Sequence, residues 1–113
     1  MRFLSNLFKN NKYKNINGNE LIELIKNNKN CIIIDVRTSQ EFKSGHIEKA
    51  KNIPVSELKS KINSISKYKE KDVVLYCASG SRSKAAVNLL YKEGFKVIYN
   101  LKGGMYSYIR ADR

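Results

Sequence analysis

The chain has no tryptophan, one proline, one histidine and two cysteines among its 113 residues, and its 10 acidic side chains are outnumbered by 22 basic ones. Two cysteines are too few for a secreted disulfide scaffold. With no C-x-x-C pair and no His/Cys cluster, they make no structural zinc site either. No stretch approaches the roughly 18 consecutive apolar residues of a membrane span. The N-terminal segment M-R-F-L-S-N-L-F-K is basic, but Ser5 and Asn6 interrupt its apolar part and no small-residue cleavage site follows, so it does not read as a signal peptide. The expectation is a cytoplasmic protein. Residues 1–13 read as a loosely packed tail in which Phe3, Leu4, Leu7 and Phe8 would share one helical face.

The shortage of acidic residues leaves a formal net charge of +12. Clustered Lys and Arg would point to a nucleic-acid backbone. Here the charge is nearly all Lys, scattered among many Asn and Ile residues, and aromatics do not interleave with it in an RNA-binding pattern. A solvated, Lys-rich surface is the better reading, with nucleic acid disfavoured as a partner. One consequence remains: small anions are steered toward such a protein.

The length suits one domain, read as residues 14–113. Within it, strand-like and helix-like segments alternate. Asn17 and Glu20 form a capping box, Ile16 and Leu21 a hydrophobic staple, and Leu21, Leu24 and Ile25 an apolar stripe. Cys31-Ile32-Ile33-Ile34 is a continuous apolar run too short for a helix, so it reads as a strand buried on both faces. A second capping box at Thr38 and Glu41 opens a short helix that Gly45 would end. Pro54 marks a boundary before an amphipathic helix from Val55 to about Ser66. Val73–Tyr76 is a second buried strand, a helix runs from about Arg82 to Glu93 and closes at Gly94, and Val97–Tyr99 is a third strand before Gly103-Gly104 and a short terminal helix. Such alternation with short loops means an α/β fold with a largely parallel sheet. Ligands then bind outside the carboxyl ends of the strands, where the loops after Ile34, Tyr76 and Tyr99 meet.

The loop after Tyr76 reads C-A-S-G-S-R-S. Cys77 ends the strand and faces the concave space beyond it. Ala78, Ser79, Gly80 and Ser81 are small enough to curl, so that successive N–H groups converge on one point. The positive end of the following helix aims at the same point. A cysteine held there has a depressed pKa and reacts as a thiolate, and its persulfide anion would be held by the same groups. That is the chemistry of a sulfur carrier or of an enzyme acting on an oxyanion.

Over residues 14 to 110 the chain resembles the rhodanese domain family. The likeness is carried by I-D-V-R at 34–37, E-F-x-x-G-H-I at 41–47, N-I-P at 52–54, C-x-x-G-x-R-S at 77–83 and G-G-M at 103–105, all in the family's order. The resemblance implies a three-layer α/β fold with a mostly parallel five-stranded sheet flanked by helices on both faces. It also implies a sulfurtransferase or persulfide carrier, loaded by thiosulfate or a related small anionic donor. Cys77 would carry the sulfur and pass it to cyanide, a thiol or an acceptor protein, with no cofactor. Phosphatases of this fold have a loop one residue longer, C-x5-R, where this chain has C-x4-R from Cys77 to Arg82, which disfavours phosphate. Family members often place Trp after the glycine pair. Tyr106 and Tyr108 are the nearest aromatics here.

Each residue also has a plainer reading. Cys77 is the expected nucleophile; Ala78, Ser79, Gly80, Ser81, Arg82 and Ser83 are the expected substrate-binding loop, with Ser79, Gly80, Ser81 and Ser83 donating N–H groups. Arg82 is the expected contact for a substrate anion, the alternatives being a helix-end carboxylate or solvent. Asp35 and Arg37 are supporting residues that brace neighbouring loops, Arg37 pairing with Glu41. His46 reads as a structural feature of its turn, since an ionised Cys77 needs no general base. Cys31 opens an apolar strand as a small hydrophobe, at the far end of the sheet from Cys77 and out of disulfide reach. The protein is expected to act as a monomer. The competing functional readings are a non-catalytic rhodanese-like binding module, a phosphatase or arsenate reductase, and sulfur delivery to RNA.

Overall fold

The apolar runs around Ile33 and Val74 pair directly with each other and form the centre of the sheet. The computed structural model describes residues 12–111. Its strands are β1 (Lys14–Ile16), β2 (Ile32–Asp35), β3 (Lys51–Asn52), β4 (Asp72–Tyr76) and β5 (Val97–Leu101). All pair in parallel, in the order β1-β5-β4-β2-β3. In register, Ile33 lies opposite Val74, and Val74 opposite Tyr99. The edge strands β1 and β3 are short and partly polar, K-N-I and K-N, so no apolar run announces them.

The helices are α1 (Gly18–Asn27), α2 (Ser39–Lys43), α3 (Val55–Leu58), α4 (Ile62–Ile65), α5 (Ser81–Lys92) and α6 (Gly104–Ile109), with a 3-10 turn at Ser66–Tyr68. Both expected capping boxes form: Asn17 caps α1 with Glu20, and Thr38 caps α2 with Glu41. The single helix expected from Val55 to about Ser66 is instead broken into α3 and α4. Ser60, Ser64 and Ser66 each turn the hydroxyl back onto the carbonyl three residues earlier. Such local bonds compete with the helical ladder. Leu58 and Ile65 are nonetheless both buried.

Alternate residues of each central strand serve opposite faces. Val73, Leu75 and Cys77 face one side with Ile34 and Ile98, under Leu58, Ile65, Ala86, Val87 and Leu90 of α3, α4 and α5. Val74, Tyr76, Ile33 and Tyr99 face the other, under Leu21 and Leu24 of α1, with Met105 and Tyr108 of α6 packed alongside. The result is three layers, helices on both sides of one sheet. Cys77 sits just past the carboxyl end of β4, on the α5 face. The expected tail lies outside the described residues up to position 11; Tyr13 packs against the α5-side core. Among the described residues no helix is long and apolar enough to cross a membrane.

Candidate active site

Gly80 turns the chain from β4 into α5. Its φ of 105° lies in the left-handed region that favours glycine, and it stands at the N-cap of α5. The turn folds the loop around the Cys77 sulfur. Sγ accepts from the N–H of Gly80 at 3.1 Å and from the N–H of Ser83 at 3.4 Å, and lies 3.6 Å from Ser83 Oγ. Cys77 and Ser83 are both fully buried. Burial alone pushes a thiol pKa up. Here the Ser83 hydroxyl, then the N–H groups of Ser83, Gly80 and Ser79, outweigh it and hold Cys77 below its ordinary 9.0. The arrangement favours an anion on sulfur.

The G-G-M turn closes the loop from behind. Met105 N–H donates to the Cys77 carbonyl oxygen at 2.8 Å, and Tyr106 N–H to that of Ala78 at 3.4 Å. Gly104 makes this approach possible, since a Cβ there would lie 2.3 Å from the Cys77 oxygen. On the outer side Ser79, Gly80 and Ser81 line an open cavity of about 430 Å³ together with Lys84 and Lys102.

Arg82 stands in the first turn of α5. Its guanidinium is held by the Glu41 carboxylate in a two-point contact of 2.8 and 2.9 Å, so the partner realised is the carboxylate rather than a free anion site. The expected Arg37–Glu41 pair does not form. Arg37 instead grips Asp35, two residues earlier at the end of β2, with Nη2 at 2.7 Å from Oδ2 and the backbone N–H at 2.8 Å from Oδ1. Arg37 also donates to the Gly45 carbonyl at 2.6 Å, which spans the turn after α2. Asp35 is fully buried and Arg37 nearly so. The nearer, desolvated carboxylate therefore takes Arg37 and leaves Glu41 to Arg82.

The sequence profile of the rhodanese-like domain family matches residues 17–111. The chain belongs to this family. It is 50% identical over 72 residues to the protein YqhL of Bacillus subtilis, covering 64% of this chain and 56% of that one. It is 34% identical over 90 residues to a tRNA uridine(34) hydroxylase of Buchnera aphidicola, covering 76% of this chain and 29% of the relative. The chain thus spans well under two thirds of either relative. A rhodanese-related protein of Thermoplasma volcanium superposes with a TM-score of 0.75 at 36% identity, covering 86% of this chain and 91% of that structure.

Two other candidates of this rhodanese-like domain stand apart from the loop. His46 is exposed, donates through Nδ1 to the Phe42 carbonyl at 2.8 Å and stacks on the Phe42 ring. Cys31 precedes Ile32, which pairs with Val73 at the start of β4, whereas Cys77 follows the end of that strand. Both cysteines are free. Burial and the Asp72 charge push the Cys31 thiol up.

The sequence reading missed Asn100 and Asn15. Asn100 is buried on β5, with Oδ1 against the Ser83 hydroxyl and Nδ2 donating to Asn15 Oδ1 at 2.9 Å. A signal was present: Asn100 extends the apolar run V-I-Y at the end of the sheet where the site was expected.

Proposed function

We propose that this rhodanese-like domain is a sulfurtransferase that carries sulfane sulfur as a persulfide on Cys77. The observation that supports it most is the enclosure of Cys77 Sγ by the N–H groups of Gly80 and Ser83 at the end of β4. The Cys77 thiolate attacks the outer sulfur of thiosulfate or a related donor. A sulfur–sulfur bond forms to Cys77, the donor's own sulfur–sulfur bond breaks, and sulfite leaves with the bonding pair. The persulfide then passes its terminal sulfur to cyanide or to a thiol, and Cys77 returns as thiolate. Charge balances in the thiosulfate and cyanide steps without a redox partner or cofactor.

Ser79, Gly80, Ser81 and Ser83 supply backbone donors to the sulfur or its substituent, and the small side chains keep the approach open. A fully buried sulfur selects small donors. The excess of basic charge, with Lys84 and Lys102 beside the loop, draws anions there. A binding module with no reaction has no use for an enclosed thiol whose pKa is drawn below its ordinary value.

Intact-mass measurement after incubation with thiosulfate tests this reading. A gain of about 32 Da, one sulfur, located on Cys77 and removed by cyanide is the expected result. Absence of any adduct with thiosulfate and with a persulfide donor would overturn it.

A further inference from the structure

A hydroxyl and two carboxamides run from Cys77 to the edge of the sheet. Ser83 Oγ sits between Cys77 Sγ at 3.6 Å, the Gly80 carbonyl oxygen at 3.2 Å and Asn100 Oδ1. Asn100 Nδ2 continues to Asn15 Oδ1 at 2.9 Å. Ser83 and Asn100 are buried at 0% and 1% exposure, while Asn15 is exposed. The chain therefore crosses from the enclosed sulfur on the β4–α5 loop, through β5, to solvent at β1.

Such a chain has a direction. Ser83 has one hydroxyl proton, and each carboxamide has acceptors on one side and donors on the other. With Asn100 Oδ1 facing the Ser83 hydroxyl and Nδ2 facing Asn15 Oδ1, the Ser83 proton goes to Asn100, and only the thiol's own proton can fill the contact between sulfur and hydroxyl, so every donor points away from the sulfur. That direction suits a protonated thiol. A thiolate or persulfide needs the Ser83 proton for itself, and giving it up would strand Asn100 Oδ1 as a buried, unpaired acceptor. Turning the Asn100 carboxamide over removes the conflict. Its near-symmetric shape costs no packing, Nδ2 then donates to Ser83, and Oδ1 faces Asn15. Asn15, being exposed, turns its own carboxamide or yields to water.

We infer that Asn15, Asn100 and Ser83 form a reversible hydrogen-bond chain that turns its donors toward Cys77 when the sulfur becomes an anion. Asn100 and Asn15 touch no sulfur and act through Ser83, so they are positioning residues. Reversal also strengthens the last bond, because a hydroxyl that accepts from an amide is the better donor. The charged groups around the loop are the Arg82–Glu41 pair, the Asp35–Arg37 pair, Lys84 and Lys102 along the cavity beside Asn100, and Arg110, which lines a second cavity with Ser79. The variants below leave all of them in place.

The test is the ultraviolet absorbance of the Cys77 thiolate against pH, with Cys77→Ser as the blank. Asn15→Asp is nearly isosteric and exposed, and its carboxylate only accepts. It holds Asn100 Nδ2 outward and keeps the Ser83 proton off the sulfur. The titration midpoint moves up by about one unit, leaving roughly ten-fold less thiolate at a fixed pH below it. Asn15→Ala admits water, which donates and accepts, and leaves the midpoint where it was. In a Ser83→Ala background, Asn15→Asp adds no further shift, because the connection is gone. An unmoved midpoint in Asn15→Asp overturns the inference. So does an equal shift with and without the Ser83 hydroxyl, which would mark a direct charge effect. The titration uses no sulfur donor, so failure of the wild-type protein to load sulfur would strike the proposed function and leave this result standing.

Discussion

Glu41 holds Arg82 by both guanidinium nitrogens, at 2.8 and 2.9 Å, and so ties the short helix after β2 to the first turn of the helix that carries the Cys77 loop. The pair is partly exposed, at 37% for Arg82 and 35% for Glu41. It neutralises the one arginine of the loop. Glu41→Gln should release Arg82 for an incoming anion and lower the KM for thiosulfate by about five-fold, equivalent to ~1 kcal/mol, with kcat little changed. Steady-state sulfur transfer to cyanide measures this. An unchanged or raised KM would mean that Arg82 serves only the packing of α2 against α5.

The same pair predicts how stability responds to acid. The bonds from Arg82, helped by the backbone N–H and hydroxyl of Thr38, draw the Glu41 pKa from 4.5 down to about 2. A depressed folded value means that the carboxylate stabilises the fold above its unfolded pKa, and that this contribution is lost as pH falls through the folded one. Urea midpoints should therefore fall between pH 4.5 and about 2 more steeply in the wild type than in Glu41→Gln. Parallel curves would refute this.

Much of this was legible from residue patterns, and the gaps have physical causes. Capping boxes at Asn17 and Thr38 are local chemistry, so both helix starts came through. The buried strands followed from apolar runs. Three features did not follow. The edge strands are too short and polar to carry a period, Ser60 turns back onto Glu57 at the break in a helix that spacing alone would continue, and the partner of Arg82 depends on which carboxylate tertiary packing brings near. Asn100 was missed for the last reason: its partners Ser83 and Asn15 are 17 and 85 residues away.

Gly104 gives a sharp steric prediction. A methyl group there would lie 2.3 Å from the Cys77 carbonyl oxygen and 2.6 Å from that of Ala78, all backbone atoms, and its φ of 57° disfavours other residues. Gly104→Ala must push the active loop away or break the bond from Met105 to Cys77. The expected loss is at least ~2 kcal/mol in chemical denaturation, with sulfur loading falling further than stability alone explains. A variant that keeps both would show that the glycine pair does not shape the loop.

The two cysteines should separate cleanly in the chemistry. Cys77 is fully buried yet held below its ordinary pKa by the Ser83 hydroxyl and by loop N–H groups, whereas Cys31 is half-buried and pushed up by burial and by Asp72. Exposure alone would make Cys31 the reactive thiol. Ionisation makes it Cys77, because only the thiolate attacks. Cys31→Ser should therefore keep sulfur uptake near the wild-type rate. Cys77→Ser should fold with an unchanged far-ultraviolet spectrum and take up no sulfur. The mass of the adduct after proteolysis assigns the site. Sulfur found on Cys31 at neutral pH would mean that access outweighs ionisation here, and the reading of the Cys77 loop would fail with it.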